Sequence, residues 1–157
     1  MWRHDAARTG ASPEQLNGEL YLQWAAEYPP LDPAWPDEAR LTFDYAYEPI
    51  VVGKTLYFGS SYNDSLTALD IETGAERWRF YADGPIRFAP VAAAGKVYFV
   101  SDDGNLYCID GETGALVWRF QGAPTERKVL GNKRLVSVWP ARGAPVVADG
   151  VVYFGAG

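Results

Sequence analysis

The fold of this chain is decided by a fifteen-residue stretch that occurs twice. Residues 66–80 have the sequence LTALDIETGAERWRF, and residues 106–120 have the sequence LYCIDGETGALVWRF. The leading leucine, the aspartate, the Glu-Thr-Gly-Ala quartet and the Trp-Arg-Phe ending recur at the same positions. Trp118 follows Trp78 by 40 residues, and Gly114 follows Gly74 by the same interval. The chain is therefore built from a tandem repeat of about 40 residues.

The repeat unit extends upstream of this stretch. Its front half is found three times, as PIVVGKTLYFG at 49–59, PVAAAGKVYFV at 90–100 and PVVADGVVYFG at 145–155. Short apolar runs separated by turn residues predict antiparallel strands, and a period of roughly 40–50 residues suits the four-stranded blade of a β-propeller. We therefore predict an all-β fold, a partial β-propeller with two full four-stranded antiparallel blades and parts of the flanking ones.

The repeat also divides the chain into segments. We predict an irregular lead-in at 1–19, a possible outer strand of a closing blade at 20–27, a loop at 28–48, a blade at 49–81, a second blade at 90–121, an insertion loop at 121–144 and the start of the next blade at 145–157. Two blades with ragged ends cannot close a ring, and each blade buries its faces only against its neighbours. We expect the chain to be a piece of a larger propeller, whose remaining blades are its first partner.

Composition excludes several classes of partner. The formal net charge is −6 with no basic stripe to offset it, which argues against nucleic acid, because phosphate backbones are bound by clustered Lys and Arg. There is no apolar run of 18 residues, so we predict no membrane span, and no signal peptide is visible. Cys108 is the single cysteine, which excludes a disulfide within the chain.

The repeated Asp-x-x-Thr-Gly sequence has the chemistry of a tight turn. Glycine is suited to a backbone position of positive φ, and the Asp and Thr side chains can accept hydrogen bonds from amides that the turn leaves unpaired. The motif consists of Asp70, Thr73 and Gly74 in the first copy, and of Asp110, Thr113 and Gly114 in the second. We assign these residues a structural role.

The conserved spacing places one tryptophan of each copy on the outer strand of its blade. Trp78 and Trp118 each follow the turn glycine by four residues, and we expect them to lie flat across the seams between blades. Burying about 150–250 Å² of an indole at about 25 cal/mol/Å² stabilises a seam by roughly 4–6 kcal/mol as an upper figure.

These residues carry a resemblance to a known family. The spacing from Ala68 through Asp70, Thr73 and Gly74 to Trp78 resembles the tryptophan-docking motif of the pyrroloquinoline quinone (PQQ) repeat. The second copy is similar, with Cys108 in place of the usual alanine. The opening Trp-Arg-His-Asp-x-x-Arg-Thr-Gly at 2–10 is also similar to the lead-in of PQQ-like propellers in bacteria.

The resemblance implies a β-propeller, commonly of eight blades, in a periplasmic or other extracytoplasmic location. The family includes quinoprotein alcohol dehydrogenases, outer-membrane assembly scaffolds of the BamB type, and bacterial propellers with no known cofactor. Members that bind PQQ often have adjacent cysteines on the quinone, with Glu, Asn and Asp on a calcium ion. This chain has one cysteine, and its residues do not indicate the metal ligands.

We expect both long connections, residues 25–48 and 121–144, to lie on one rim. The shorter loops 60–65, 82–89 and 101–105 should lie on the same rim. Arg87 and Arg142 each lie three residues before a strand-opening proline, which would place them near the mouth of the central channel. Two such guanidinium groups suit bidentate capture of a carboxylate. The alternative is an ordinary ion pair with Glu48 or a nearby aspartate. The insertion also carries Arg127, Lys128, Lys133, Arg134 and Trp139.

Other chemically suggestive residues have simpler explanations. His4 is the only histidine and lies near a terminus, and Cys108 fits a small buried position. Asn63-Asp64 and Asp102-Asp103-Gly104-Asn105 lack the spaced oxygen ligands of a calcium loop, and turn formation explains them. There is no phosphate-binding glycine loop and no zinc spacing. We therefore assign no catalytic residue and no metal ligand.

Two functional hypotheses remain. The first is a non-catalytic propeller scaffold that binds a protein or ligand through its loop rim, with no cofactor expected for this chain. The second is a fragment of a PQQ- and calcium-dependent quinoprotein dehydrogenase that oxidises alcohols or sugars. A pair of adjacent cysteines or a haem-binding Cys-x-x-Cys-His in the full reading frame would favour the second.

Overall fold

A computed structural model describes residues 4–7, 9–13, 15, 18–131 and 133–157. All regular secondary structure within these ranges is β-strand, which confirms the predicted all-β class. The strands are β1 (Ile50–Val52), β2 (Thr55–Ser60), β3 (Ser65–Asp70), β4 (Glu76–Tyr81), β5 (Val91–Ala93), β6 (Lys96–Val100), β7 (Asn105–Asp110), β8 (Leu116–Gln121), β9 (Lys128–Gly131), β10 (Arg134–Ser137), β11 (Val146–Ala148) and β12 (Val151–Tyr153). Part of the opening motif, Trp2, Arg3 and Arg8, lies outside the described residues.

The strands form two equivalent four-stranded sheets and the beginning of a third. β1–β4 and β5–β8 are antiparallel meanders with the strands in sequence order, and β11 pairs with β12. Both full sheets have the same irregularity, a register shift after Ala68 in β3 and after Cys108 in β7. Cys108 therefore occupies the position in β7 that Ala68 occupies in β3, and it is 1 % exposed. The two matching sheets confirm the partial propeller of four-stranded antiparallel blades.

The hydrophobic core lies in the seam between the two full sheets. Leu66 and Ala68 of β3 face this seam from one side, and Phe99 and Tyr107 of β6 and β7 face it from the other. The rings of Phe99 and Tyr107 stack with their centroids 4.9 Å apart. Because the middle strands β3 and β7 are covered on both faces, consecutive residues along them are buried instead of alternating between buried and exposed.

The repeated turns have the geometry that their sequence predicts. Asp70 Oδ1 accepts hydrogen bonds from the amides of Glu72 (2.9 Å) and Thr73 (3.0 Å), and the Thr73 hydroxyl accepts one from Ala75. Asp110 and Thr113 repeat these bonds in the second sheet. Gly74 and Gly114 have φ of 72° and 73°, a backbone region that only glycine enters without strain.

An indole from the preceding element packs directly on each of these turn glycines. A Cβ atom on Gly114 would lie 2.7 Å from the Trp78 ring, and Trp78 Nε1 donates to the Gly111 carbonyl at 3.1 Å. A Cβ atom on Gly74 would likewise lie 2.8 Å from the Trp24 ring, and Trp24 Nε1 donates to the Ile71 carbonyl at 2.7 Å. Adjacent units are therefore joined by one indole, held by both ring contact and hydrogen bond.

Trp118 differs from the other two docking indoles. It packs beside Tyr98 of its own sheet, with centroids 5.9 Å apart, and remains 40 % exposed. The turn that would receive it, an Asp-x-x-Thr-Gly after β12, is not among the 157 residues. Trp118 lines a cleft with Val151 and Val152 of the third sheet, so it faces the next seam but lacks the turn contact that the other two indoles make.

Residues 20–27, predicted as a possible outer strand of a closing blade, form no strand here, and no such blade is among the described sheets. This segment joins no sheet, and Leu20, Tyr21 and Leu22 are each more than three-quarters exposed. Side-chain contacts fix this segment, and no backbone ladder does. Gln23 donates to the Glu72 carbonyl at 2.7 Å, and Trp24 docks as described. Residues 28–48 form no strand or helix, as their proline content predicted.

The insertion at 121–144 is not only a loop, because it contains the β9–β10 hairpin. Leu130 pairs with Leu135 and Val129 with Val136 across its two strands. Each run is only four residues long, and neither belongs to the repeat, so the periodicity gave no indication of it. The turn includes Lys133 at φ 64°.

We predict that Gly114→Ala destabilises the chain by about 2–5 kcal/mol. A residue with a Cβ at positive φ costs about 1–2 kcal/mol, and overpacking against the indole adds about 1–3 kcal/mol. The matched control is Gly95→Ala, since Gly95 also has φ 73° but has open space around its Cβ position. Urea unfolding checks this, and equal losses in the two variants would contradict docking on Gly114.

Acid should weaken the repeated turns. The hydrogen bond from Arg77, aided by the Thr73 amide, lowers the pKa of Asp70 to about 2, and the Lys96 ammonium also lowers the pKa of Asp110. Because both folded-state values lie below the unfolded value of about 3.9, their stabilisation is present above about pH 4 and is lost as the pH falls toward about 2.

The measurement is the free energy of unfolding as a function of pH. Asp70→Asn/Asp110→Asn should flatten its decline between about pH 4 and pH 2. The control Asp37→Asn, at an exposed position, should show the same slope of unfolding free energy against pH as the wild-type chain. An unchanged slope in the double variant would mean that other carboxylates cause the acid loss.

Candidate functional site

The loops at one end of the sheets form a continuous surface, which we call the loop rim and define as residues 25–48, 60–65, 82–89, 101–105 and 121–144. Direct hydrogen bonds join these segments. The Asp32 amide donates to Ser61 Oγ at 3.0 Å, and the Ser137 amide donates to the Asp102 carbonyl at 2.8 Å. Both long connections therefore lie on this rim, where they contact the shorter loops of both full sheets.

A buried ion-pair network lies at the centre of the loop rim. The Arg87 side chain is 2 % exposed. Its Nε donates to Asp102 Oδ2 and its Nη1 donates to Asp44 Oδ2, each at 2.6 Å, and Nη1 also donates to the Asp32 carbonyl. Asp44 Oδ2 accepts a further bond from the Ala34 amide at 2.8 Å. One guanidinium group thus connects three segments of the rim.

Arg142 joins the same network from the insertion. Its Nε and Nη2 each lie 3.3 Å from an oxygen of Asp102, and its guanidinium carbon lies 5.8 Å from the centre of the Trp35 ring. Arg87 and Arg142 are therefore neighbours that share one carboxylate. Glu48 lies apart from them and accepts a hydrogen bond from the Ala89 amide at 2.9 Å.

This geometry corresponds to the ion-pair alternative, with aspartates and not Glu48 as the partners. The two arginines face Asp44 and Asp102, so the cluster is balanced in charge. Asp44 was missed because it lies among prolines and aromatics with no motif around it, and Asp102 was interpreted only as a turn residue. One oxygen, Asp44 Oδ1, is buried without a hydrogen-bond partner in the described part of the chain. Ligand capture by Arg87 and Arg142 stays a prediction.

Two clefts open beside this network. One of about 270 Å³ lies between Trp35 and the hairpin and includes Val129, Val136, Pro140 and Arg142 in its wall. The other, of about 420 Å³, is polar and has Asp83, Asp103, Arg119, Glu126 and Lys128 in its wall. Below it the Tyr107 hydroxyl donates to Asp103, and burial together with this carboxylate raises the pKa of Tyr107.

Arg134 ties the β9–β10 hairpin back to the first sheet. It pairs with Asp64, donates to the Tyr62 carbonyl at 2.6 Å, and lies 3.4 Å from Asp32. Burial raises the pKa of Asp64, although the positive charge of Arg134 opposes the shift. The hairpin is therefore held over the rim by one arginine whose contacts reach two other segments.

The remaining candidates have structural surroundings. His4 is exposed, and burial raises the pKa of the Cys108 thiol, which disfavours the reactive thiolate. Asp103 accepts a hydrogen bond from the Asn105 amide, which is a turn contact. Within the described residues, no three metal-binding side chains of His, Cys, Asp or Glu come together. None of the segments that the structure describes is a helix long and apolar enough to cross a membrane.

We predict that Arg87→Met destabilises the chain by about 3–5 kcal/mol, because it leaves Asp44 as a buried charge without a cation. The control Arg119→Met removes an arginine from an exposed pair with Asp83, where the side chains are 54 % and 62 % exposed, and should cost less than about 1 kcal/mol. Chemical denaturation measures both. Similar losses would show that the Arg87 network does not hold the rim together.

Comparison with known proteins places this architecture in a family. The family model described as outer membrane protein assembly factor BamB matches residues 1–155. The dehydrogenase subunits of the quinone alcohol dehydrogenases from Gluconobacter oxydans and Komagataeibacter europaeus are each 32 % identical over 120 residues, which is 69 % of this chain. The chain spans only 15 % and 16 % of their respective lengths.

Solved structures agree with these sequence matches. The quinohemoprotein alcohol dehydrogenases from Pseudomonas putida and Comamonas testosteroni are each 26 % identical, with TM-scores of 0.57 and 0.56. The superpositions cover 70 % and 69 % of this chain and 16 % of each enzyme. The family match over nearly all residues, together with the two tryptophan-docked sheets, shows that the chain belongs to the BamB-like family of PQQ-repeat β-propeller proteins.

Proposed function

We propose that this chain is part of a non-catalytic propeller scaffold that binds a protein or ligand through its loop rim. The observation that carries the proposal is the gathering of large exposed side chains there: Trp35 is 46 % exposed, Tyr62 52 %, Trp139 42 % and Leu130 76 %. Aromatic side chains with one apolar and one polar end are enriched at protein interfaces. A rim that carries several of them suits binding.

The charged centre of the rim supports the same proposal. The cations of Arg87 and Arg142 are already matched by Asp44 and Asp102, so their evident task is to hold the loops in fixed positions. A rigid base below exposed aromatic groups reduces the conformational entropy that is lost on binding. The rim therefore has the construction of a preorganised binding surface.

Other blades and an extracytoplasmic location belong to the same proposal. Trp118, Phe120 and Tyr153 are exposed at the far end of the stack, where a complete third blade would cover them. A periplasmic or cell-surface location is supported by the family description, which names an outer membrane protein assembly factor. Protein partners on the rim are in keeping with that description.

The second candidate is part of a PQQ- and calcium-dependent dehydrogenase. It is favoured by the 32 % identity to proteins named as quinone alcohol dehydrogenases. The described residues alone do not fit the quinone, because Arg87 is committed to two buried aspartates and Cys108 lies inside a sheet without an adjacent cysteine. Under this alternative, other blades would have to supply the cofactor site.

Two measurements on the longest reading frame that contains this chain separate the candidates. With PQQ and Ca²⁺ added, we expect no dye-linked oxidation of alcohols or sugars, and activity would overturn the scaffold proposal. Photo-crosslinking residues introduced for Tyr62 and Trp139 should form adducts in the source cell. The same residues in place of Lys54 and Glu112, at the opposite end, should form none. Adducts that form equally at both ends would contradict binding through the rim.

A further inference from the structure

The β9–β10 hairpin presents an apolar pair away from the body of the protein. Leu130 and Leu135 lie directly opposite each other and are 76 % and 63 % exposed. The other face of the hairpin is in use, because Val129 and Val136 line the cleft beside Trp35. Single exposed leucines are ordinary, but a facing pair on a two-stranded sheet is an association-prone surface.

The outer edge of β9 has its backbone groups open. The Val138 amide donates to the Arg127 carbonyl at 3.0 Å, which fixes the alternation of the ladder. Residues 128 and 130 therefore direct their N–H and C=O groups away from β10. Within the described residues, β10 is the only strand paired with β9. The far edge of β10 differs, since the Ser137 amide is bound to the Asp102 carbonyl.

The hairpin region is positively charged on an acidic chain. Residues 121–144 contain five basic side chains and one acidic one, a net charge of +4. Since the whole chain has a net charge of −6, the residues outside this segment carry −10. Arg134 and Arg142 are paired with aspartates. Arg127, Lys128 and Lys133 are exposed, and none forms an ion pair with another described residue. The edge is thus flanked by cations available to an acidic partner.

We propose that the open edge of β9 binds an extended acidic segment of a partner protein as an added antiparallel strand. Main-chain hydrogen bonds to residues 128 and 130 would give affinity, and side chains in alternation would give specificity. Apolar side chains of the segment would lie beside Val129 and Leu130, and carboxylates beside Arg127 and Lys128. This inference rests on the proposed binding through the loop rim and names the partner chemistry.

A polypeptide partner fits better than an anionic membrane surface. Lipid headgroups could neutralise Arg127, Lys128 and Lys133, and acyl chains could cover the leucine pair. A lipid surface would leave the outward N–H and C=O groups of β9 without regular partners, whereas an added strand satisfies them. The order of side chains along β9 predicts the core sequence Val-Val-Glu-Glu for an antiparallel segment.

The test uses a short synthetic peptide with this core and the 157-residue chain, with binding measured by calorimetry at low salt. Two isomers of the peptide are N-methylated at alternate backbone amides. Each isomer therefore keeps hydrogen-bond donors along only one of its two edges. We expect one isomer to bind at least about tenfold more weakly and the other to bind like the parent. No binding of the parent, or equal binding of both isomers, would overturn the proposal.

Charge exchange supplies an independent check. Lys128→Glu should weaken binding about tenfold, and a Val-Val-Lys-Glu peptide, which reverses only the charge opposite residue 128, should recover it. Lys54→Glu is the matched control, because it makes the same charge change at an exposed position at the opposite end of the sheets and should not affect binding. Loss in the control, or no recovery with the exchanged peptide, would argue against contact at β9.

Three outcomes separate this inference from the function on which it rests. Sedimentation of the chain with phosphatidylglycerol vesicles, without peptide binding, would overturn the strand partner in favour of a membrane surface. If Lys128→Glu leaves the cellular crosslinks at Tyr62 and Trp139 intact while the peptide fails to bind, rim binding stands and the β9 edge is wrong. If those crosslinks do not form even without the Lys128→Glu change, the proposed function itself is wrong.

Discussion

The packing of an indole on a turn glycine is the contact on which the stack of sheets depends. Each contact needs three features at once: a carboxylate and a hydroxyl that shape the turn, a glycine at positive φ, and a tryptophan from the preceding segment that reaches the turn. Because Trp24 and Trp78 make the same contact with equivalent carbonyls, of Ile71 and Gly111, the geometry repeats with the sequence. Stacking is therefore propagated by a local motif instead of by a shared central core.

The two copies stabilise the turn carboxylate with different cations. Arg77 on β4 binds Asp70, whereas the equivalent position 117 is a valine and Lys96 on β6 binds Asp110. Both arrangements lower the pKa of the aspartate. In both copies the turn carboxylate therefore has a cation beside it, and that cation comes from a different strand in each copy.

The two ends of the sheets have separate tasks. The end with the Asp-x-x-Thr-Gly turns is regular, and its side chains are committed to stacking. The loop rim is irregular, and there Arg87 and Arg134 connect segments distant in sequence by ion pairs. Long insertions are tolerated at this end because they do not interrupt the indole contacts. The β9–β10 hairpin, with its leucine pair and free cations, is the clearest addition to the repeated framework.

The sequence by itself determined the blades, their turns and the placement of the long connections on one rim, because these follow from local periodicity and turn chemistry. It also assigned Arg87 and Arg142 to equivalent positions in the repeat. Only the tertiary structure decided that Asp44 and Asp102 neutralise them, that the 20–27 segment docks through Trp24 without forming a strand, and that the insertion folds into a hairpin. These features depend on contacts between segments far apart in the chain, and no periodic signal in the sequence records such contacts.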